Sequence, residues 1–506
     1  MKTTLTALVA QHPGDALALG APDRGWMTYD GLRDLATRTE TALRGFGIGA
    51  KDRVAIVLPN GPDMASSFFT IAQAATTAPL NPNYREDEFA FYLDDLSAKA
   101  LVVADGYDGP ALAAGQKLGL TILRLHANEA AGDFTLSADG DTAAAEAGTP
   151  DEGDVALILH TSGTTSRPKI VPLLQSNVAA SAQNIAESLA LTADDRCLNV
   201  MPLFHIHGLV AAVSATFAAG GSIFCTAGFN AMNFFAMMSE ARPTWYTAVP
   251  TMHQAILSRA GRNAEVIKDV PLRFLRSSSA SLPAQVMEAL NETFNAPVVE
   301  AYGMTEAAHQ MCCNRLDLQK PGSVGVAAGP EVAIGHETEN KLIDGTGEVC
   351  ISGPNVTPGY ESNPEANAKN FFEADGKRWF RTGDQGAFDE DGFLHLTGRL
   401  KEIINRGGEK VSPLEVDGVL MDHPAIAQVV TFALPHPKLG EEVAAAVVLR
   451  DGQEADERAI RDFAAERMAD FKVPRKVVIM DEIPKGATGK MQRIGMAEKL
   501  GLVETA

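Results

Sequence analysis

The sequence predicts an α/β protein. A large N-terminal domain of doubly wound sheets carries a β-rich subdomain and is followed by a small α/β C-terminal domain. Three observations predict it. Short apolar runs alternate with helical patterns from about residue 50 to 302, the signature of parallel layers joined by helices. Helical patterns then thin out between about 322 and 397. A break near 398–401 precedes a compact unit of about 100 residues, the size of an independent domain. A chain of 506 residues also exceeds what one hydrophobic core holds.

The apolar runs at 54–58, 100–103, 155–159, 223–225, 245–249, 274–276 and 298–300 read as strands. Residues 177–189, 209–219, 252–259 and 284–294 show helical spacing. The subdomain is predicted to hold strands at 331–334, 347–352 and 393–397. The last unit is predicted to hold strands at 427–434, 444–449 and 477–480 and a helix at 456–468. These patterns place the N-terminal domain at 1–398 and the C-terminal domain at 399–506.

A formal net charge of −21 argues against nucleic acid as a partner, because phosphate backbones require a basic face. It leaves a nucleotide substrate open, since a few local cations suffice there. The five cysteines, Cys197, Cys225, Cys312, Cys313 and Cys350, contain no C-x-x-C pair and form no disulfide framework, which fits a reducing cytoplasm. Residues 209–227 are the most apolar stretch. Gly220-Gly221 divides them, so they read as a buried helix, a turn and a strand, and no membrane attachment is expected. A monomer or homodimer is expected.

The strongest local signal is Thr161-Ser162-Gly163-Thr164-Thr165-Ser166-Arg167-Pro168-Lys169, which follows the strand at 155–159 after His160. Its hydroxyls and backbone N–H groups are donors suited to a polyphosphate, and Lys169 adds charge. The run sits at the carboxyl end of a strand, where open α/β sheets bind ligands. Pro168 disfavours helix at Arg167, so the loop is expected to stay extended before the helix at 177–189. It is not a Walker loop, because no second glycine precedes Lys169.

Six segments in order now resemble a known family, the adenylate-forming enzymes that include acyl-CoA synthetases, firefly luciferase and nonribosomal-peptide adenylation domains. After the Thr161 run come Pro202-Leu203-Phe204-His205, Tyr302-Gly303-Met304-Thr305-Glu306, Arg381-Thr382-Gly383-Asp384, Gly398-Arg399-Leu400-Lys401-Glu402 and Pro484-Lys485-Gly486-Ala487-Thr488-Gly489-Lys490. Ile170 departs from the glycine usual after the loop lysine.

The resemblance implies ATP, Mg²⁺ and coenzyme A as substrates and ion, with no tightly bound prosthetic group. It implies an ATP site from Thr161, Ser162, Gly163, Thr164, Thr165, Lys169, Ser279, Ala280, Ser281, Ala301, Tyr302 and Gly303, with Asp384 on the ribose hydroxyls and Arg399 on ribose and phosphate. Thr305 ends a polar turn and reaches the α-phosphate. Glu306, a hard oxygen ligand, holds Mg²⁺ with Thr165. Lys490, with Thr305, Glu306 and His205, is implied to be catalytic. Lys490 bridges carboxylate and α-phosphate oxygens while two anions approach each other. Lys401 takes the hinge position. The stretch Arg406-Gly407-Gly408-Glu409-Lys410 resembles the segment that lines the pantetheine path once the small domain has swung.

Ser277-Ser278-Ser279-Ala280-Ser281-Leu282 and His309, with the loop from His160 to Lys169, look like the oxalate–CoA ligase branch. Serine hydroxyls with His205, His207 and His309 suit a small dianion better than a fatty tail. His205 also reads as a gating, aromatic-type residue shared by the whole family, His207 as a structural residue at a helix start, and His309 as a structural hydrogen bond. A ligase for another short, medium-chain or aryl acid, an adenylation module serving a carrier protein, and a non-catalytic nucleotide binder are the alternatives. Intact Thr305, Glu306 and Lys490 speak against the last.

Overall fold

The computed structural model describes residues 2–140, 142–146, 148–161, 168–485 and 491–503. Two sheets with parallel centres form the bulk of the N-terminal region. One has seven strands, in the spatial order Phe134–Ala138, Thr121–Ala127, Ala100–Ala104, Arg53–Val57, Thr76–Pro79, Val155–Thr161, Lys169–Leu174. The other has nine. Its six central strands, Val298–Met304, Phe274–Ser278, Trp245–Ala248, Arg196–Asn199, Ser222–Cys225 and Leu17–Ala21, run parallel.

Burial on both faces explains why these strands read as continuous apolar runs rather than alternating ones. Val54 and Ile56 enter the large central core, while Ala55 and Val57 enter a second core on the opposite face. Phe274 and Leu275 divide in the same way, as do Val299 and Val298.

Three expectations change. The chain does not run from the Thr161 loop straight into a helix. Lys169–Leu174 forms an edge strand antiparallel to Val155–Thr161, with Thr161 opposite Lys169, and the helix Gln175–Ser188 follows. The apolar run Ile170-Val171-Pro172-Leu173-Leu174 drives this by burying Ile170, Val171 and Leu173 in the core, and residues 162–167 of the loop lie outside the described residues. Residues 207–214 form a π-helix that passes into the short α-helix Ala215–Ala219. Gly208 sits against Pro202 so closely that a side chain there would strike its carbonyl. The strands at 274 and 298 run further than expected, to Ser278 and Met304, and Thr305 opens a 3₁₀ turn, Thr305–Ala307.

The β-rich subdomain is a five-stranded sheet of Glu331–Gly335, Gly347–Ser352, Lys377–Phe388, Phe371–Ala374 and Leu394–Arg399. Beyond it, Ile404–Arg406, Glu409–Val411, Gly440–Leu449, Ile426–His436 and Lys476–Ile479 form a separate sheet. That sheet has its own core, including Ile404, Val416, Leu420, Val443, Val447 and Ile460. Arg493 ties the C-terminal segment to it, pairing with half-buried Asp417 at 2.5 Å and with Glu402 at 3.5 Å. The small unit touches the rest through Lys410 and Glu337, 2.8 Å apart, and through the Ser412 hydroxyl, which donates to the Thr397 carbonyl.

Among the described residues no helix is long and apolar enough to cross a membrane. The 209–227 stretch is divided by a left-handed Gly220, φ 78°, before the strand Ser222–Cys225. All five cysteines are buried free thiols.

Candidate active site

The carboxyl ends of three adjacent parallel strands build the site. Trp245–Ala248, Phe274–Ser278 and Val298–Met304 are in register, with Ala248 opposite Ser277 and Ser278 opposite Ala301. The serine run, the Tyr302 motif and Thr305-Glu306 therefore emerge side by side where open α/β sheets place ligands.

The residues expected to hold the nucleotide join this edge to the subdomain. Asp384, on the strand Lys377–Phe388, accepts a hydrogen bond from the buried Tyr302 hydroxyl and lies 3.4 Å from Arg399 Nε. Its backbone N–H donates to Thr382 Oγ1 at 3.1 Å. Gly383 takes a left-handed φ of 78° and donates its N–H to Glu348, which Arg381 clamps at 2.7 Å. Gly303 is required because a Cβ there would collide with the His309 carbonyl. Ala280 and Ser281 are exposed beyond the strand end.

Glu306 is buried at the turn after Met304. It accepts the Tyr360 hydroxyl proton at 2.7 Å, and Lys169 Nζ lies 4.3 Å from the Tyr360 ring centroid. Burial pushes the Glu306 carboxyl above its usual range and Lys169 below its own, and each charge partly offsets the other's shift. A desolvated carboxylate lying at a strand end with one lysine nearby is a fitting seat for a divalent cation. The Asn355 side chain, donating to the Ala307 and Gln310 carbonyls at 2.8 Å each, holds the turn.

Of the residues expected to meet the acid, the structure brings His207, His309 and Ser279 together. His207 Nδ1 is 3.0 Å from Ser279 Oγ, and the two imidazole centroids are 5.1 Å apart. Ser279 and His309 have φ of 75° and 92°, left-handed values uncommon for residues with a side chain and typical of functional strain. Half-buried His205 stands at the mouth of this helix, its Nδ1 3.3 Å from the His207 N–H. Ser277 and Ser278 are fully buried. The Ser278 hydroxyl donates to the Ala301 carbonyl at 2.7 Å, so it supports the strand pair.

Three participants were not singled out from sequence: Arg276, Thr247 and Tyr360. The signal for the first two was present, since Arg276 and Thr247 are polar residues inside runs that read as buried strands. Tyr360 lies 54 residues beyond Glu306, and no local pattern links them.

Below the strand end, fully buried Glu300 accepts the Leu282 N–H at 2.9 Å. Burial pushes its carboxyl from 4.5 up to about 8. The folded state thus retains a proton that the unfolded chain releases. This group's stabilising contribution is complete below pH 4.5 and is lost as the pH rises toward 8. Glu300→Gln keeps the acceptor without the titration. Its thermal midpoint should exceed the native one progressively across that window, as read by melting at stepped pH.

Lys401 is exposed in the turn between the subdomain strand and the small domain, where Glu402 and Ile403 both donate backbone hydrogen bonds to the Arg399 carbonyl. Gly407 and Gly408 form the hairpin tip between Ile404–Arg406 and Glu409–Val411, with left-handed φ of 60° and 99° that suit glycine. Lys410 points to Glu337. Thr161 and Lys169 are described, but Ser162, Gly163, Thr164, Thr165 and Lys490 lie outside the described residues.

The sequence matches the AMP-binding enzyme family over residues 5–361. The chain belongs to that family. The AMP-binding enzyme C-terminal domain matches over residues 415–490. The oxalate–CoA ligase of Arabidopsis thaliana is 45% identical over 499 residues, 96% of each chain. The oxalate–CoA ligase of Saccharomyces cerevisiae is 41% identical over 496 residues, 92% of this chain and 90% of its own. The crystal structure of ATP-bound MatB from Rhodopseudomonas palustris superposes with a TM-score of 0.86 at 28% identity, covering 99% of both chains. The adenylate-forming architecture inferred from the motifs is thus the architecture of this AMP-binding enzyme.

Proposed function

We propose that this AMP-forming acid–CoA ligase activates oxalate, converting oxalate, ATP and coenzyme A into oxalyl-CoA, AMP and diphosphate. The observation that carries the acid assignment is the pairing of His207 and His309 beside Ser279, a compact polar cluster suited to a small dianion. Near-full-length identity to two oxalate–CoA ligases supports it.

Oxalate oxygen attacks the α-phosphorus of ATP, the bond to diphosphate breaks, and oxalyl-AMP forms. The coenzyme A sulfur, as thiolate, then attacks the activated carbonyl carbon and AMP leaves. Asp384 accepts the ribose hydroxyls and Arg399 meets ribose and phosphate, while Ser279, Ala280, Ser281, Ala301, Tyr302 and Gly303 flank the base. Thr305 orients the α-phosphate. Lys169 and the hydroxyls from Thr161 to Thr165 hold the triphosphate tail. Glu306, with Thr165, would hold a magnesium ion, which supplies charge neutralisation for the phosphate oxygens when bound. Lys490 spreads the charge of the two approaching anions, and His205 gates the pocket.

The division into 1–398 and 399–506 belongs to this reading. Turning about Lys401 exchanges Lys490 for the Gly407-Gly408-Lys410 hairpin, so that one site serves both half-reactions. The reading takes the enzyme as a monomer or homodimer in the cytoplasm, in keeping with its five free thiols, and assigns it neither a nucleic-acid nor a membrane partner. A panel scored by diphosphate release tests the acid assignment. The expected result is a kcat/KM for oxalate well above those for acetate, malonate, medium-chain and aryl acids. Equal or higher values for any of these would refute it.

A further inference from the structure

A row of polar side chains beneath the acid pocket remains without a role. Arg276 lies fully buried in the strand Phe274–Ser278, between Leu275 and Ser277. Among the described residues no carboxylate pairs with it, and the Cys313 and Cys197 thiols lie close enough to act on its charge. Burial lowers its pKa to about 10, which leaves it charged at neutral pH. Its Nε has no hydrogen-bond partner among the described residues. A buried cation without a counterion is costly, and a site is the usual reason to keep one.

The contacts of this guanidinium set a direction. Nη1 is 3.3 Å from Thr247 Oγ1 and 3.4 Å from His207 Nε2. Nη2 is 3.1 Å from Gln310 Oε1 and 3.5 Å from His309 Nδ1. Arginine only donates, so the atoms facing it must accept. Thr247 Oγ1 accepts from Arg276 and gives its single proton to His207 Nε2, 2.6 Å away. His207 then carries its proton on Nδ1 and donates to Ser279 Oγ at 3.0 Å. Ser279 Oγ, having accepted, gives its own proton away from His207. His309, with Nδ1 toward Arg276, carries its proton on Nε2.

We propose that Arg276 is the positioning residue behind acid specificity: it fixes His207 and His309 as neutral imidazoles protonated on Nδ1 and Nε2 and turns the Ser279 hydroxyl outward, so the pocket recognises the second carboxylate of a small dianionic acid. Being fully buried, Arg276 acts through the imidazoles and Thr247 without touching the acid itself. The left-handed backbones of Ser279 and His309 fix the two outward ends of this array. An acid with an aldehyde in place of its second carboxylate supplies no negative charge to those donors, and polar sites reject such analogues strongly. This inference rests on the reading of the pocket as the acid site.

The test compares the native enzyme with Arg276→Met, Arg276→Lys and Thr247→Val, using oxalate and glyoxylate as alternative acids. For Arg276→Met the ratio of kcat/KM for oxalate over glyoxylate should collapse about 100-fold, mainly through the KM for oxalate, with the KM for ATP unchanged. Arg276→Lys should recover part of it. Nitrogen-15 spectra of the histidine-labelled full chain should show His207 protonated on Nδ1 in the native enzyme. That proton should shift to Nε2, or mix between the two nitrogens, in Arg276→Met and Thr247→Val. Should Arg276→Met fail to fold, Thr247→Val, which keeps the volume, decides by the same two readouts. An unchanged acid ratio or an unchanged tautomer overturns the inference. Native enzyme that turns over no oxalate would instead refute the substrate assignment, leaving the tautomer result to judge Arg276 separately.

Discussion

Lys490→Ala is expected to slow adenylate formation by about three orders of magnitude while sparing thioester formation from supplied oxalyl-AMP. Adenylation drives a carboxylate onto a phosphate ester that is itself anionic, so charge accumulates as the bond forms. A preorganised cation at that point contributes ~4 kcal/mol, about a thousandfold in rate. Thioester formation meets a neutral carbonyl carbon and has no such need. In the two-state account Lys490 has by then been replaced by the Gly407-Gly408 hairpin. Diphosphate release in a single turnover reads the first half-reaction, and thioester absorbance from freshly prepared adenylate reads the second. Equal losses in both would contradict the domain exchange about Lys401.

Glu306→Gln carries the second large effect. The side chain is buried and its charged form is disfavoured by that burial, yet it accepts the Tyr360 hydroxyl proton and lies near Lys169. Glutamine keeps the shape and the acceptor for Tyr360 and removes only the charge. The expected loss is about 10²–10³-fold in kcat/KM for ATP, with the magnesium requirement moved to higher concentration. Tyr360→Phe, which removes one hydrogen bond to the carboxylate, should cost about tenfold. A magnesium titration of ATP–diphosphate exchange measures both. An unaltered magnesium requirement in Glu306→Gln would remove Glu306 from the metal site.

Much of the scaffold was legible because its strands are buried on both faces. Such burial writes itself as unbroken apolar runs, as at Val54-Ala55-Ile56-Val57. The edge strand Lys169–Leu174 was not legible. It has the composition of a core strand, but Pro168 precedes it, Pro172 lies within it, and only its partner at 155–161 makes it a strand. The π-helix at 207–214 was invisible for a similar reason. Apolar periodicity cannot separate one helical hydrogen-bond pattern from another, and the close packing of Gly208 on Pro202 is a tertiary fact.

The site divides along the same line. Tyr302, Glu306 and Asp384 stand in contiguous motifs and could be read directly. Their meeting points, such as Tyr302 on Asp384 and Tyr360 on Glu306, join positions far apart in the chain. Ser277 and Ser278 looked like pocket lining because serine is polar. Cover on both faces of the strand buries both, while Ser279 lies just past the strand end, where its Oγ is 3.0 Å from His207 Nδ1. Arg276 was passed over because an isolated arginine in a short strand carries no motif, although an unpaired charge in such a strand is itself informative.

Acid-dependent exchange of labelled diphosphate into ATP, measured without coenzyme A, tests the central claim most directly. The account predicts that oxalate alone supports exchange with ATP and magnesium, because the adenylate forms reversibly before the thiol is needed. Exchange that appears only with coenzyme A, or cleavage of ATP to ADP and phosphate, would contradict it.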